Sequence, residues 1–182
     1  MPSKYIYSEH IPKEILPVIQ EKLEKYSYLI PGWVQEVRVY WQSTPAKEEI
    51  VSGQSAASLA YRWAQIAICP GFLDEPDADK EDTIVHELTH ILLWPLSNFY
   101  DHVFQYFDDQ PEKVKDFMLA QLSERIEGAT VDVTTAILKA VKGDAYAEGR
   151  GIPLVASGKK DIQPPVEHIF LGAANTDSKD SV

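Results

Sequence analysis

From Asp79 to Trp94 the chain reads DKEDTIVHELTHILLW. At about 100° per residue, Ile84, Val85, Leu88, Ile91, Leu92, Leu93 and Trp94 fall almost all the way round a helix. A helix with so little polar face has to be buried, so other layers must cover it. Asp79 is placed to cap it, and Asp82 sits in its first turn, where the helix dipole favours negative charge. Pro95 stands where the helix should end. Yet this apolar helix carries His86, Glu87 and His90. Two imidazoles and a carboxylate are costly to bury unless something binds them.

The spacing says what that could be. Helical residues four apart differ by about 40° and one turn, so His86 and His90 can offer ring nitrogens to one point. Zinc takes such ligands at about 2.0–2.1 Å. Glu87 lies about 100° round from His86, away from that point but within reach of a water beside it. This is the geometry behind His-Glu-x-x-His as a hydrolase pattern. With five histidines in 182 residues, the pattern would arise by chance in roughly one such chain in a hundred.

A catalytic zinc site usually has three protein ligands and one open position. The sequence after His90, ILLWPLSNFY, offers no third histidine, so a carboxylate from a second helix is the natural candidate. A long helix is expected from Pro111 to about Lys142, closed by Gly143. Leu122, Ile126, Ala129, Val133, Ile137 and Ala140 form its apolar ridge. With Ile126 as zero, Glu127 falls at about 100°, inside the apolar arc, and Glu124 at about 160°, at its edge. Glu127 is therefore the preferred third ligand. Glu124 is the alternative, or a partner for a ligand histidine.

Elsewhere the pattern is that of an α+β chain. Lys13 to Lys25 reads as a short helix with Ile15, Val18, Ile19 and Leu23 on one side. Trp33 to Trp41 alternates, Val37, Val39 and Trp41 against Glu36, Arg38 and Tyr40. Arg62 to Cys69 is a second strand, with Ala64, Ile66 and Ile68 on one face. Phe72 to Lys80 reads as an acidic loop, Ser97 to Gln110 as aromatic and less regular, and Asp144 to Pro165 as loop. Residues 1–172 are expected to form one domain and 173–182 a disordered tail.

A net charge of −11 argues against nucleic acid as a partner. The N-terminus lacks the apolar core of a signal peptide, and no run has the roughly 18 apolar residues of a membrane span. A lone cysteine, Cys69, forms no internal disulfide, which fits a reducing compartment. A soluble, cytoplasmic protein is the expectation; nothing in the sequence encodes an oligomeric state.

With VHELTHILL (Val85 to Leu93), ERIEGATVDVTTAIL (Glu124 to Leu138) and the strand AQIAICPGFLD before the motif, the chain resembles the small phage and bacterial zinc metallopeptidases of the gluzincin type. The resemblance covers the middle of the chain. It implies a minimal zincin-like α+β core, a small sheet packed on the motif helix, with an edge strand that binds a peptide substrate. It implies His86, His90 and Glu127 as zinc ligands and Glu87 as general base, moving a proton from water to the leaving amine. His102, Tyr100, Tyr106 and Tyr146 are candidate oxyanion donors. The rival readings are a zinc-stapled interaction protein without hydrolytic activity, a metal-free structural domain, and a metallohydrolase of another substrate class.

Overall fold

The computed structural model describes residues 4–43, 52–104, 111–143 and 146. The alternation after Trp33 becomes a six-residue strand, and a small mixed sheet grows on either side of it. Four strands, β1 (Lys4–Tyr7), β2 (Glu36–Trp41), β3 (Gly53–Ser58) and β4 (Trp63–Ile68), lie in the order β1-β2-β4-β3. β1, β2 and β4 are parallel. β3 runs antiparallel to β4, to which it is joined by a short hairpin, and among the described residues it pairs with no other strand. The helices are α1 (Leu16–Lys25), the single turn α2 (Gly71–Asp74), α3 (Asp77–Phe104) and α4 (Glu112–Lys142). The fold is α+β.

One face of the sheet makes the core. Val37 and Val39 of β2 and Ala64, Ile66 and Ile68 of β4 are fully or nearly fully buried there. They join Ile19 and Leu23 of α1 and Ile84, Val85, Leu88 and Ile91 of α3 in one cluster. The strand faces are those expected from alternation. β1 and β3 had no such signal. KYIY is half exposed, and GQSAAS is built of residues with little strand preference.

α3 departs from expectation at both ends. The expected acidic loop is instead α2 followed by the first turn of α3, with Asp77 and Asp79 both in that turn, so Asp79 lies inside the helix and not at its cap. At the other end the helix runs through Pro95 to Phe104. Proline removes one backbone hydrogen bond and usually breaks a helix. The segment from Ser97 onward that looked irregular is therefore helical as far as Phe104. Nor is α3 buried all round. Leu92, Leu96 and Phe99 are exposed, and Leu93 and Trp94 half-buried.

α4 begins after Pro111 and stops at Gly143, whose φ of +80° a side chain would strain and whose N–H donates to Lys139 O. Its buried positions are Thr130, Thr134 and Leu138, at about 40°, 80° and 120° from Ile126. The expected ridge is thus rotated. Ala129 and Ala140 are exposed, while Leu122, Val133 and Ile137 are half-buried. Threonine is polar by type, yet here its hydroxyls find partners within and between helices.

A buried charge cluster ties α1, α3 and α4 together. Glu81 accepts from Lys25 Nζ (2.6 Å) and Tyr26 Oη (2.8 Å), and Lys142 Nζ lies 2.9 Å from its other oxygen. Burial alone would raise the Glu81 pKa, but the bonds from Lys25, Lys142 and Tyr26 hold it down at about 2. A depressed carboxylate stabilises the fold fully above its unfolded value near 4.3 and loses that contribution as pH falls toward 2. Wild-type stability is therefore expected to drop by roughly 2 kcal/mol between pH 4.5 and 2 through this group. Glu81→Gln should lower stability at pH 7 and flatten that acid limb, as denaturant titrations across this range would read. Among the described residues no helix is long and apolar enough to cross a membrane. Apart from Tyr146, the expected loop from Asp144 to Pro165 and the tail at 173–182 lie outside the described residues.

Candidate metal centre

The register of α3 sorts its side chains onto three neighbours. Taking Ile84 as zero, Ile84, Val85, Leu88 and Ile91 span the core side, Glu87 falls at about 300° and Thr89 at about 140°. Glu87 meets β3, Thr89 meets α4, and His86 and His90, at about 200° and 240°, look into the cleft between those two elements.

Glu127 reaches this cleft from α4. The Nε2 atoms of His86 and His90 are 3.0 Å apart, and Glu127 Oε1 and Oε2 lie 3.3 Å from them. Within the described residues these three are the cluster of metal-ligating type, with every ligand atom within 4.8 Å of the others. Ligands at 2.0–2.1 Å in a tetrahedron stand about 3.3–3.4 Å from one another. The donor set, two imidazoles and one carboxylate, and the spacing both fit zinc. Glu127 is not buried as expected: its side chain is 55% exposed. It does lie in the arc of Thr130, Thr134 and Leu138, facing α3, and the open cleft rather than a closed interior accounts for its solvent contact.

His90 is held by Thr130 of α4. Thr130 Oγ1 donates its one proton to Ile126 O at 2.9 Å and lies 3.3 Å from His90 Nδ1. The hydroxyl must then accept from Nδ1–H, which leaves Nε2 with its lone pair turned to the cleft. Burial lowers the pKa of both histidines; His86 lowers that of His90 further, and Glu127 pulls both the other way. Two neutral imidazoles with lone pairs 3.0 Å apart repel unless a proton or a cation lies between them. One turn along, Thr134 donates to Thr89 (3.1 Å), which donates to Val85 O (2.8 Å), so a second hydroxyl pair fixes α4 against α3. Thr130→Val keeps the shape but removes the acceptor for Nδ1. It is expected to weaken zinc binding about 10–100-fold, read by competition with a chromogenic chelator.

Glu87 is held from the other side. It is only 5% exposed, and its Oε2 has no hydrogen-bond partner. Burial pushes its pKa up to about 7; nearby Ser55 works against that rise, and the Glu127 charge adds to it. Ser55 Oγ is itself buried without a bond of good geometry. A Cβ on Gly53 would lie 3.0 Å from Glu87 Cγ and Oε1, so glycine is what lets β3 close on the carboxylate. Gly53, Ser55 and Thr130 were all missed by sequence reasoning, which had no signal for residues whose role is to touch another residue's side chain.

The other expected residues divide. Glu124 lines the same cleft of about 700 Å³ but is exposed and accepts from Gln121 Nε2 at 3.3 Å. Tyr146 Oη donates to Asp82 Oδ2 at 2.7 Å, so that hydroxyl is engaged one turn before His86. Tyr106 and the side chains of Tyr100 and His102 lie outside the described residues. Comparison of the chain with protein-family models, curated proteins and solved structures finds no match.

Proposed function

We propose that this chain is a zinc-dependent metallopeptidase with a minimal zincin-like core. The observation that carries the reading is the convergence of His86, His90 and Glu127 within 3.3 Å, beside a buried Glu87 whose Oε2 is unpartnered. A metal staple needs ligands only; a carboxylate buried next to them at the cost of its hydration has the position of a general base.

His86, His90 and Glu127 would hold the zinc, with Thr130 orienting His90. Zinc bound there supplies a Lewis acid and makes a water more acidic. Glu87 takes a proton from the attacking water and returns it to the leaving amine. A carboxyl group with a pKa near 7 is suited to both transfers at neutral pH.

The edge strand supports a peptide substrate. Ser52 O accepts from Cys69 N, opposite it in the β3–β4 register. Hydrogen-bonded pairs alternate along an antiparallel ladder, so the N–H and C=O of Gly53, Ser55 and Ala57 point to the open edge. Gly53 and Ser55 also line the cleft. An extended peptide added there would lie alongside Glu87. The test is an untagged preparation assayed for zinc and for hydrolysis of an unfolded protein such as casein. The expected result is about one zinc per chain, with activity lost to a chelator and restored by zinc. Protein that binds no zinc would overturn the reading.

A further inference from the structure

Both helices run on past the candidate centre. α3 continues through Pro95, and α4 starts about four turns before Glu127. Beyond His90, Trp94 and Ser97 of α3 face Leu119, Leu122 and Ile126 of α4 across a pocket of about 300 Å³. Trp94, Ser97, Ser123 and Glu127 line both this pocket and the larger cleft, so the two adjoin along these residues. The pocket exists because the helix does not end at Pro95. Without that continuation Ser97 would not form its wall.

Its chemistry differs from that of the cleft. Four lining side chains are apolar, the two serines are neutral, and no lysine or arginine is present. Leu119 is 44% exposed, and Trp94, Leu122 and Ile126 are half-buried. Apolar surface is thus left facing water directly beside a polar site, and an entering apolar group would remove it from water. The volume is at the lower limit of the about 300–1,000 Å³ usual for small-ligand pockets, which suits one side chain rather than an extended ligand. Glu127 at the junction and Glu124 in the adjoining cleft disfavour an acidic one.

We infer that this pocket is a specificity subsite, taking a bulky aliphatic or aromatic side chain next to the bond to be cut in a peptide laid along β3. The inference rests on the metallopeptidase reading above and names its substrate class.

Two measurements test it, one without turnover. Zinc-loaded wild type is given a peptide library, and the residues flanking each cleaved bond are read. Leucine, methionine and phenylalanine should be enriched at one flanking position, with leucine favoured over alanine by at least about tenfold in kcat/KM. Zinc-loaded Glu87→Gln is titrated by calorimetry with matched leucine and alanine peptides, and the same order of affinity is expected. Leu119→Glu alters an exposed wall position; it should keep its zinc, as a check on folding, and lose the leucine-to-alanine ratio in both measurements. Cleavage or binding with no apolar preference, or a ratio untouched by Leu119→Glu, would overturn the subsite. Leucine-selective binding to Glu87→Gln with no cleavage by wild type would uphold the subsite and sink the hydrolase instead.

Discussion

Glu87→Gln is expected to lower turnover of an unfolded protein substrate by about 10²–10⁴-fold while the protein keeps one zinc per chain. Glutamine has the shape of glutamate but cannot accept and return a proton. It is a gentle change for the fold. Glu87 is buried, and its Oε2 makes no hydrogen bond. A neutral amide there removes the cost of burying a charge, so the melting temperature should not fall. Loss of rate with zinc and stability intact would separate a proton-transfer role from a structural one. A Glu87→Gln enzyme of wild-type rate would remove the proposed general base.

His86→Ala and Glu127→Ala are each expected to abolish stoichiometric zinc and, with it, activity. The physical reason is that the two Nε2 atoms, 3.0 Å apart, each face one Glu127 oxygen at 3.3 Å, and either variant removes one of these three groups. A ligand that binds only the native state stabilises it by about 4 kcal/mol at 1,000 times its dissociation constant. For a chain of this size that is roughly 8–16 °C in Tm. Wild type should show that rise on adding zinc, and the two variants should not. Glu124→Ala should behave as wild type, since Glu124 is exposed and bonded to Gln121. A Glu127→Ala protein that bound zinc at full affinity would pass the third position to another group, with Glu124 the first to examine.

What was legible in the sequence follows from what periodicity encodes. β2 and β4 show it because their buried faces carry Val37, Val39, Ala64, Ile66 and Ile68 in strict alternation. Angle alone puts Glu127 in the arc of Thr130, Thr134 and Leu138, although the apolar ridge is rotated and Glu127 is more exposed than its angle implies. That rotation was invisible because Thr130 and Thr134 are polar by type. Their hydroxyls are satisfied by Ile126 O and Thr89, contacts that no single segment contains. β3 was illegible for a related reason. Its glycine and small residues are poor strand formers, and at Gly53 the missing side chain leaves the space that Glu87 and Thr83 approach.

By itself the sequence determined that His86 and His90 share one helix face, that Glu87 stands aside from them, and that a second helix presents Glu127 toward its own apolar side. Helix geometry is local, so spacing sufficed. The tertiary structure alone decided that β3 closes over Glu87, that Thr130 turns the His90 lone pair into the cleft, and that α3 passes Pro95 to wall an apolar pocket. Each of these depends on contacts between residues far apart in the chain, and a local pattern carries no information about them.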